Sequence, residues 1–183
     1  MSYPYVCYLL KFNHPTKSHT YAGISPYPAR RIRQHNKELK GGAIYTGMIK
    51  ARYPSYRWEF VCMTHGFQTK KQAAQFEWIA KMGSMAKKKK AKLMHHKPVQ
   101  ALQQVHPRVQ DYLHCLNLPQ WTSKAPQAST VPLTLEWHQP AFKPVTPLSY
   151  LPTYVSEHIR PLGAVFARAS NPRKRKRSTQ DDE

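Results

Sequence analysis

The sequence is poor in cysteine, in acidic residues and in long apolar runs. Cys7, Cys62 and Cys115 are its only cysteines among 183 residues, and no Cys-x-x-Cys pair occurs. This excludes a disulfide framework and a four-cysteine zinc module, and it fits a reducing cytosol or nucleus. No stretch reaches the roughly 18 consecutive apolar residues of a membrane-spanning helix. The N-terminus lacks a charged segment followed by an apolar one, so no secretory signal is expected. Only 9 Asp and Glu stand against 29 Lys and Arg, a formal net charge of +20. Such a chain is drawn to polyanions by a long-range field. Nucleic acid is the expected partner, because neutralised phosphates release counterions and supply affinity independent of sequence. An anionic membrane surface is the other candidate polyanion, and no membrane association is expected.

What is present divides the chain into four parts. Residues 1–85 carry the regular patterns of a compact domain. Tyr5-Val6-Cys7-Tyr8-Leu9-Leu10 and His19 to Ile24 read as two strands joined by the turn-rich Asn13 to Ser18, so they form a hairpin. Pro28 opens a helix that runs through Asn36. Gly41-Gly42 then starts a loop, and Trp58 to Met63 is a third strand. Thr69 and Gln72 have capping-box spacing ahead of a helix over Ala73 to Ala80. Residues 86–98 are a basic linker containing Lys87 to Lys90. Residues 99–160 begin with apolar positions spaced by three and four from Val99 to Leu116, an amphipathic helix that Pro107 is expected to kink or divide. They continue as a Pro-rich, irregular stretch in which only Val131 to Trp137 is strand-like, and Pro132 argues for an edge position. Residues 161–183 form a basic tail expected to be disordered. The predicted class is α+β, with a three-stranded antiparallel sheet flanked by helices.

Phosphodiester hydrolysis needs a prepared water, charge neutralisation, stabilisation of the leaving oxygen and a phosphate held in line. Tyr8 and Tyr21 sit on the two hairpin strands, where their hydroxyls can converge. Arg31 and His35 are four apart on one helix face, and Arg31 offers a planar fork for phosphate. Glu77 lies on the stripe Ala73-Glu77-Ala80 beside Phe76. A carboxylate on an apolar face needs a metal or a basic partner, and its hard oxygens suit magnesium or manganese.

These blocks together resemble the GIY-YIG nuclease family. Val6-Cys7-Tyr8 and Tyr21-Ala22-Gly23 stand where the two name-giving motifs would be. The first keeps only its tyrosine, and the second has Ala22 for isoleucine. Arg30 to Asn36, Glu38 to Ala43, Arg57-Trp58-Glu59, His65-Gly66-Phe67 and Ala74 to Trp78 are similar to the Slx-type branch, in family order and over most of Tyr5 to Met82. The resemblance implies that Tyr8 and Tyr21 position or activate the water, Arg31 binds the scissile phosphate, His35 supports the base or positions the phosphate, and Glu77 holds magnesium or manganese. No asparagine matches the late one of some family members. Slx-type enzymes cut branched DNA as one subunit of a heterodimer, and a RING-like zinc domain engages a scaffold protein. Three scattered cysteines cannot build that domain, so a scaffold protein remains a possible partner without the zinc domain that usually engages it.

The implied function is a metal-dependent endonuclease acting on flaps, forks and junctions in DNA repair or recombination. The alternative is a basic DNA-binding protein on a nuclease-derived scaffold with no cutting. A sequence-directed nuclease would need an added DNA-reading module, and Leu93 to Pro161 is too irregular to resemble one. Arg30, Arg33, Lys40, Lys50 and Arg52 are the candidate DNA-backbone contacts. Tyr45, Tyr53, Tyr56 and Trp58 lie among basic residues, as base-stacking groups would, and core packing explains Trp58 equally well. His95-His96, and Cys62 with His65, lack a second ligand pair at metal spacing. Pro172 to Arg177 reads as a nuclear localisation signal or a nonspecific DNA-binding tail, and the former implies the nucleus.

Overall fold

The computed structural model describes residues 5–82, 104–144 and 151–160. The basic linker and the basic tail therefore lie outside the described residues, as does His95-His96.

Strands β1 (Val6–Phe12) and β2 (Thr20–Ser25) form the expected antiparallel hairpin, with Tyr8 opposite Gly23 and Leu10 opposite Tyr21. Helix α1 spans Pro28–His35, and a second helix, α2, spans Ile44–Arg52. Strand β3 (Trp58–His65) pairs antiparallel with β1 on the side away from β2. Helix α3 spans Lys70–Met82 and α4 spans Val105–Leu116. Strands β4 (Leu133–Trp137) and β5 (Val155–Ile159) complete one mixed sheet in the order β2-β1-β3-β4-β5.

Alternation along β1 explains the layering. Side chains of successive strand residues point to opposite faces, and nearly every residue of β1 is buried. Cys7 and Leu9 join one core, with Phe76 of α3 and Val109, Tyr112 and Leu116 of α4. Val6, Tyr8, Leu10 and Phe12 join the other, with Ile32 of α1, Ile49 of α2 and Trp58 of β3. The β1–β3 register slips between Leu9 and Leu10, so Val61 and Cys62 both enter the first core while Phe60 and Met63 enter the second.

Four expectations need correction. The sheet has five strands rather than three, because β4 and β5 come from the Pro-rich part of the chain. Residues 104–144 and 151–160 thus contribute to the first core; Val131, Leu135 and Val155 all lie in that cluster. Strand β4 is interior, antiparallel to β3 and parallel to β5. Pro132 immediately precedes this strand, where a missing N–H breaks no ladder. Pro107 is the third residue of α4, in the first turn, whose N–H groups have no partner within the helix; residues 99–103, where the expected helix began, lie outside the described residues. The α1–α2 loop was expected, but α2 itself was not. Gly42 closes that loop at φ +97°, and a β-carbon there would lie 2.7 Å from the Gln34 carbonyl oxygen.

Candidate active site

The site forms at the β2 edge of the sheet, between α1 on one face and α3 on the other. Tyr8 and Tyr21 are diagonal neighbours on the same face of the hairpin, with Gly23 directly across from Tyr8. A β-carbon on Gly23 would lie 2.5 Å from Tyr8 Oη and 2.8 Å from Tyr21 Cε1. The missing side chain is what allows both rings over that position.

His35 ends α1 and is fully buried. Its Nε2 is 2.9 Å from Tyr8 Oη, and its Nδ1 is 2.7 Å from Thr46 Oγ1 on α2. The ring of Tyr21 lies 5.0 Å from that of His35. Burial, helped by the charges of Arg31 and Lys81, lowers the His35 pKa to about 4. The imidazole is therefore neutral near pH 7, with one ring nitrogen a donor and the other an acceptor. Burial raises the Tyr8 pKa, against a smaller opposing pull from the Arg31 guanidinium beside it. Tyr8 is thus a neutral hydroxyl.

Arg31 is held by Gln34, whose Oε1 accepts from Nη1 at 3.0 Å. Its Nε is buried and has no hydrogen-bond partner among the described residues. An unmet charged donor costs stability, so the guanidinium is a fork held ready for an acceptor that would be a phosphate oxygen.

Glu77 reaches the site from the opposite helix. Its Oε1 is 2.6 Å from Lys81 Nζ, which also sits 5.5 Å over the ring of Tyr21. Burial opposes the Lys81 charge, but the Glu77 hydrogen bond and the neighbouring Tyr21 outweigh it, and the Lys81 pKa rises. The carboxylate thus already carries a cation. Among the described residues there is no group of three or more His, Cys, Asp or Glu placed to hold a metal ion. One hard carboxylate is nevertheless a donor set that fits magnesium, which keeps several waters and takes its remaining ligands from substrate phosphate.

All five predicted site residues lie at this edge. Tyr8, Tyr21, Arg31 and His35 are mutual neighbours, and Glu77 joins them through Lys81. The candidate DNA contacts separate into groups. Arg30, Lys40 and Arg52 are exposed. Arg33 is exposed but paired with Glu38 at 3.1 Å. Lys50 is committed elsewhere: its ammonium donates to the Pro54 and Tyr56 carbonyls and closes the end of α2. Trp58 is fully buried and donates to the Thr46 carbonyl, so it is a core residue, not a stacking platform. Cys62 is buried, and His65 pairs with Glu136 rather than with a thiol. Thr46, Lys81, Gln34 and Asn36 were not singled out from the sequence. Asn36 exchanges two hydrogen bonds with the Trp58 backbone and fixes α1 on β3. Only the i,i+4 spacing of Glu77 and Lys81 offered a signal.

Residues 4–91 match the model of the GIY-YIG catalytic domain. The chain is 48% identical over 75 residues to the structure-specific endonuclease subunit slx1 of Schizosaccharomyces japonicus, which is 41% of this chain and 25% of that protein. It is 45% identical over 75 residues to slx1 of Schizosaccharomyces pombe, 40% of this chain and 26% of the relative. It is 46% identical over 76 residues to slx1 of Aspergillus niger, 40% and 16% respectively. The chain thus spans about a quarter or less of the length of these relatives. Residues 4–91 are thus similar to a GIY-YIG catalytic domain, and the relatives that match about 75 residues of this chain are SLX1 subunits.

Proposed function

We propose that this protein is a divalent-metal-dependent endonuclease that hydrolyses DNA phosphodiester bonds, selectively on branched DNA, in repair or recombination in the nucleus. The observation that carries the reading is the Tyr8–His35 hydrogen bond beside the Arg31 guanidinium, whose buried Nε has no partner among the described residues. Those groups supply a proton path and a phosphate fork at one place. Arg31 holds a phosphate oxygen through donors left unused in the folded chain. Tyr8, with its own proton directed at neutral His35, keeps oxygen lone pairs for the attacking water. As the water attacks, its proton passes to Tyr8 while the Tyr8 proton passes to His35 Nε2, which is general-base catalysis through a hydroxyl. Tyr21 walls the other side of the imidazole. Held by Glu77, magnesium or manganese would neutralise charge on the phosphate and the departing oxygen.

The relatives' names support branched substrates and a second subunit, since each is called a subunit of a structure-specific endonuclease. A protein partner is accordingly part of this proposal. The high positive charge supplies general DNA affinity, with exposed Arg30, Lys40 and Arg52 as backbone contacts. One observation favours the non-cutting alternative, the Lys81 ammonium seated on the proposed metal ligand. Cleavage of labelled flap, fork and junction DNA with magnesium separates the two. Wild type should cut, and Glu77→Ala should lose at least about 100-fold, the scale of several kcal/mol of charge stabilisation. Equal activity of the two proteins removes the metal role. Tight, salt-sensitive binding without products from any substrate establishes the alternative.

A further inference from the structure

We propose that Thr46 is a positioning residue that sets the tautomer of His35 and so aims the hydroxyl of Tyr8. The inference rests on the nuclease reading above and deepens its proton path.

The argument is a count of protons along three short contacts. Thr46 Oγ1 is 2.9 Å from the carbonyl oxygen of Ala43 and 2.7 Å from His35 Nδ1. A threonine hydroxyl has one proton and can accept further bonds. Two oxygens 2.9 Å apart with no proton between them repel, so the hydroxyl donates to Ala43. Back-bonding of this kind to the preceding turn is ordinary for threonine in a helix. Its oxygen can then only accept from the imidazole, which makes Nδ1 the protonated nitrogen. Nε2 is left with a lone pair, 2.9 Å from Tyr8 Oη, and the Tyr8 hydroxyl must donate to it. The remaining lone pairs of Tyr8 face away from His35, toward the Arg31 side. A guanidinium, which has donors only, is the neighbour such lone pairs favour.

Burial makes the arrangement singular. Thr46 and His35 are both fully buried, so water cannot substitute for the threonine hydroxyl. The opposite tautomer would point an N–H at Tyr8 and occupy one of the lone pairs that the water needs. In hydrolytic triads the group that fixes the histidine tautomer is worth orders of magnitude in kcat, although it never touches substrate. Thr46 would fill that office with a hydroxyl tied to the first turn of α2, where a triad uses a carboxylate. It also gives α2 a role in the chemistry, although none of the five residues expected from the sequence lies on it.

The test pairs Thr46→Val, which keeps the shape and removes the hydroxyl, with Thr46→Ser, which restores it. In full-length protein with 15N-labelled histidine, the His35 ring nitrogens are assigned by their disappearance in His35→Asn. Wild type and Thr46→Ser should show Nδ1 protonated and Nε2 unprotonated, and Thr46→Val should shift toward the other tautomer. On branched DNA with magnesium, kcat should fall about 10- to 100-fold in Thr46→Val, part of what a positioned base supplies. KM should stay near wild type, and serine should recover most of the rate. An unprotonated Nδ1 in the wild type overturns the proposal, as does a Thr46→Val protein with wild-type tautomer and rate. If Thr46→Val does not fold, the wild-type and serine spectra decide. If wild type cuts no DNA, the nuclease reading fails while the spectra still judge the tautomer.

Discussion

Two polar clusters lie on this sheet, and they are built on opposite rules. At the far end, Glu136 is almost fully buried, with Oε2 2.7 Å from His65 Nε2 and Oε1 2.7 Å from Arg160 Nε. On the next strand, Glu157 accepts from the Trp137 indole at 2.7 Å and from Lys143 at 2.5 Å. Each carboxylate there has both oxygens matched to donors. At the β2 edge no carboxylate of the described residues pairs with Arg31, its Nε is unmet, and His35 is kept neutral by burial and by two nearby cations. The first cluster is saturated and ties β3, β4 and β5 together. The second holds valence in reserve, which is what a site for an anionic substrate requires. Similar residue types therefore mark structure where every donor is used and chemistry where some are withheld.

The comparison breaks most visibly at Gly23. Gly23→Ala should push both tyrosine rings aside, because the new β-carbon would overlap Tyr8 Oη and Tyr21 Cε1. Cleavage should drop about 100-fold, the scale of an ångström's misplacement of catalytic groups. Circular dichroism should change little, since Gly23 is not among the glycines of positive φ, while the melting temperature should fall, because the displaced Tyr8 ring is buried in the second core. Unchanged cleavage would mean that the convergence of the two tyrosines does not matter. The matching change at the far end is Glu136→Ala. It should cost about 1–3 kcal/mol of stability in urea denaturation, the scale of losing hydrogen bonds to a buried charged group. Its partners are part-exposed and can hydrate, so the loss should stay inside that range. Cleavage at low temperature should remain near wild type, and a large activity loss without destabilisation would erase the distinction between the clusters.

What could be foreseen follows the range of the interactions. The hairpin, α1, β3 and α3 are written in local patterns: alternating apolar residues, Pro28 at the first turn, and Thr69, which accepts from the Gln72 N–H at 3.2 Å. Tyr8, Tyr21, Arg31, His35 and Glu77 are singled out in the sequence by the resemblance to the GIY-YIG family, with Arg31 and His35 also spaced to share one helix face. Helix α2 was hidden because Gly47 and the β-branched Ile44, Thr46 and Ile49 are weak helix formers. Its reason to be helical is tertiary: Ile49 packs in the second core, and Trp58 bonds to the Thr46 carbonyl. Strand β5 reads Val-Ser-Glu-His-Ile with only Val155 buried, and its parallel pairing with β4 has no local signature. In the sequence Lys50 reads as a DNA contact, because a positive charge does not reveal which carbonyls it will cap.

Acid should sharpen the same contrast more gently. His35 titrates near 4 when folded and near 6.5 when unfolded. The unfolded chain therefore binds the extra proton between these values. The contribution of neutral His35 to stability is complete above about pH 6.5 and declines as pH falls toward 4. Melting temperatures measured across that window should show this slope in wild type and lose it in His35→Asn. Cleavage should show no inflection at pH 6.5 from His35, and an inflection there that vanishes in His35→Asn would show that the imidazole is not held neutral.

The smallest expected effect concerns Lys81, the one residue that makes Glu77 look like the saturated carboxylates at the far end. The pair is spaced i,i+4 and Lys81 is 42% exposed, so solvent screens it and it is worth only a few tenths of a kcal/mol. A divalent ion should displace the ammonium easily. Lys81→Met keeps a flexible chain over Tyr21 and removes the competing charge, so manganese affinity read by electron paramagnetic resonance should tighten about twofold. The same change removes one of the two charges that hold the His35 pKa down, so its titration should move upward, toward 6.5. A variant that binds manganese more weakly would mean that Lys81 helps to hold the site open for the ion and does not stand in for it. Glu77 would then differ from Glu136 and Glu157 more sharply than the ion pair suggests.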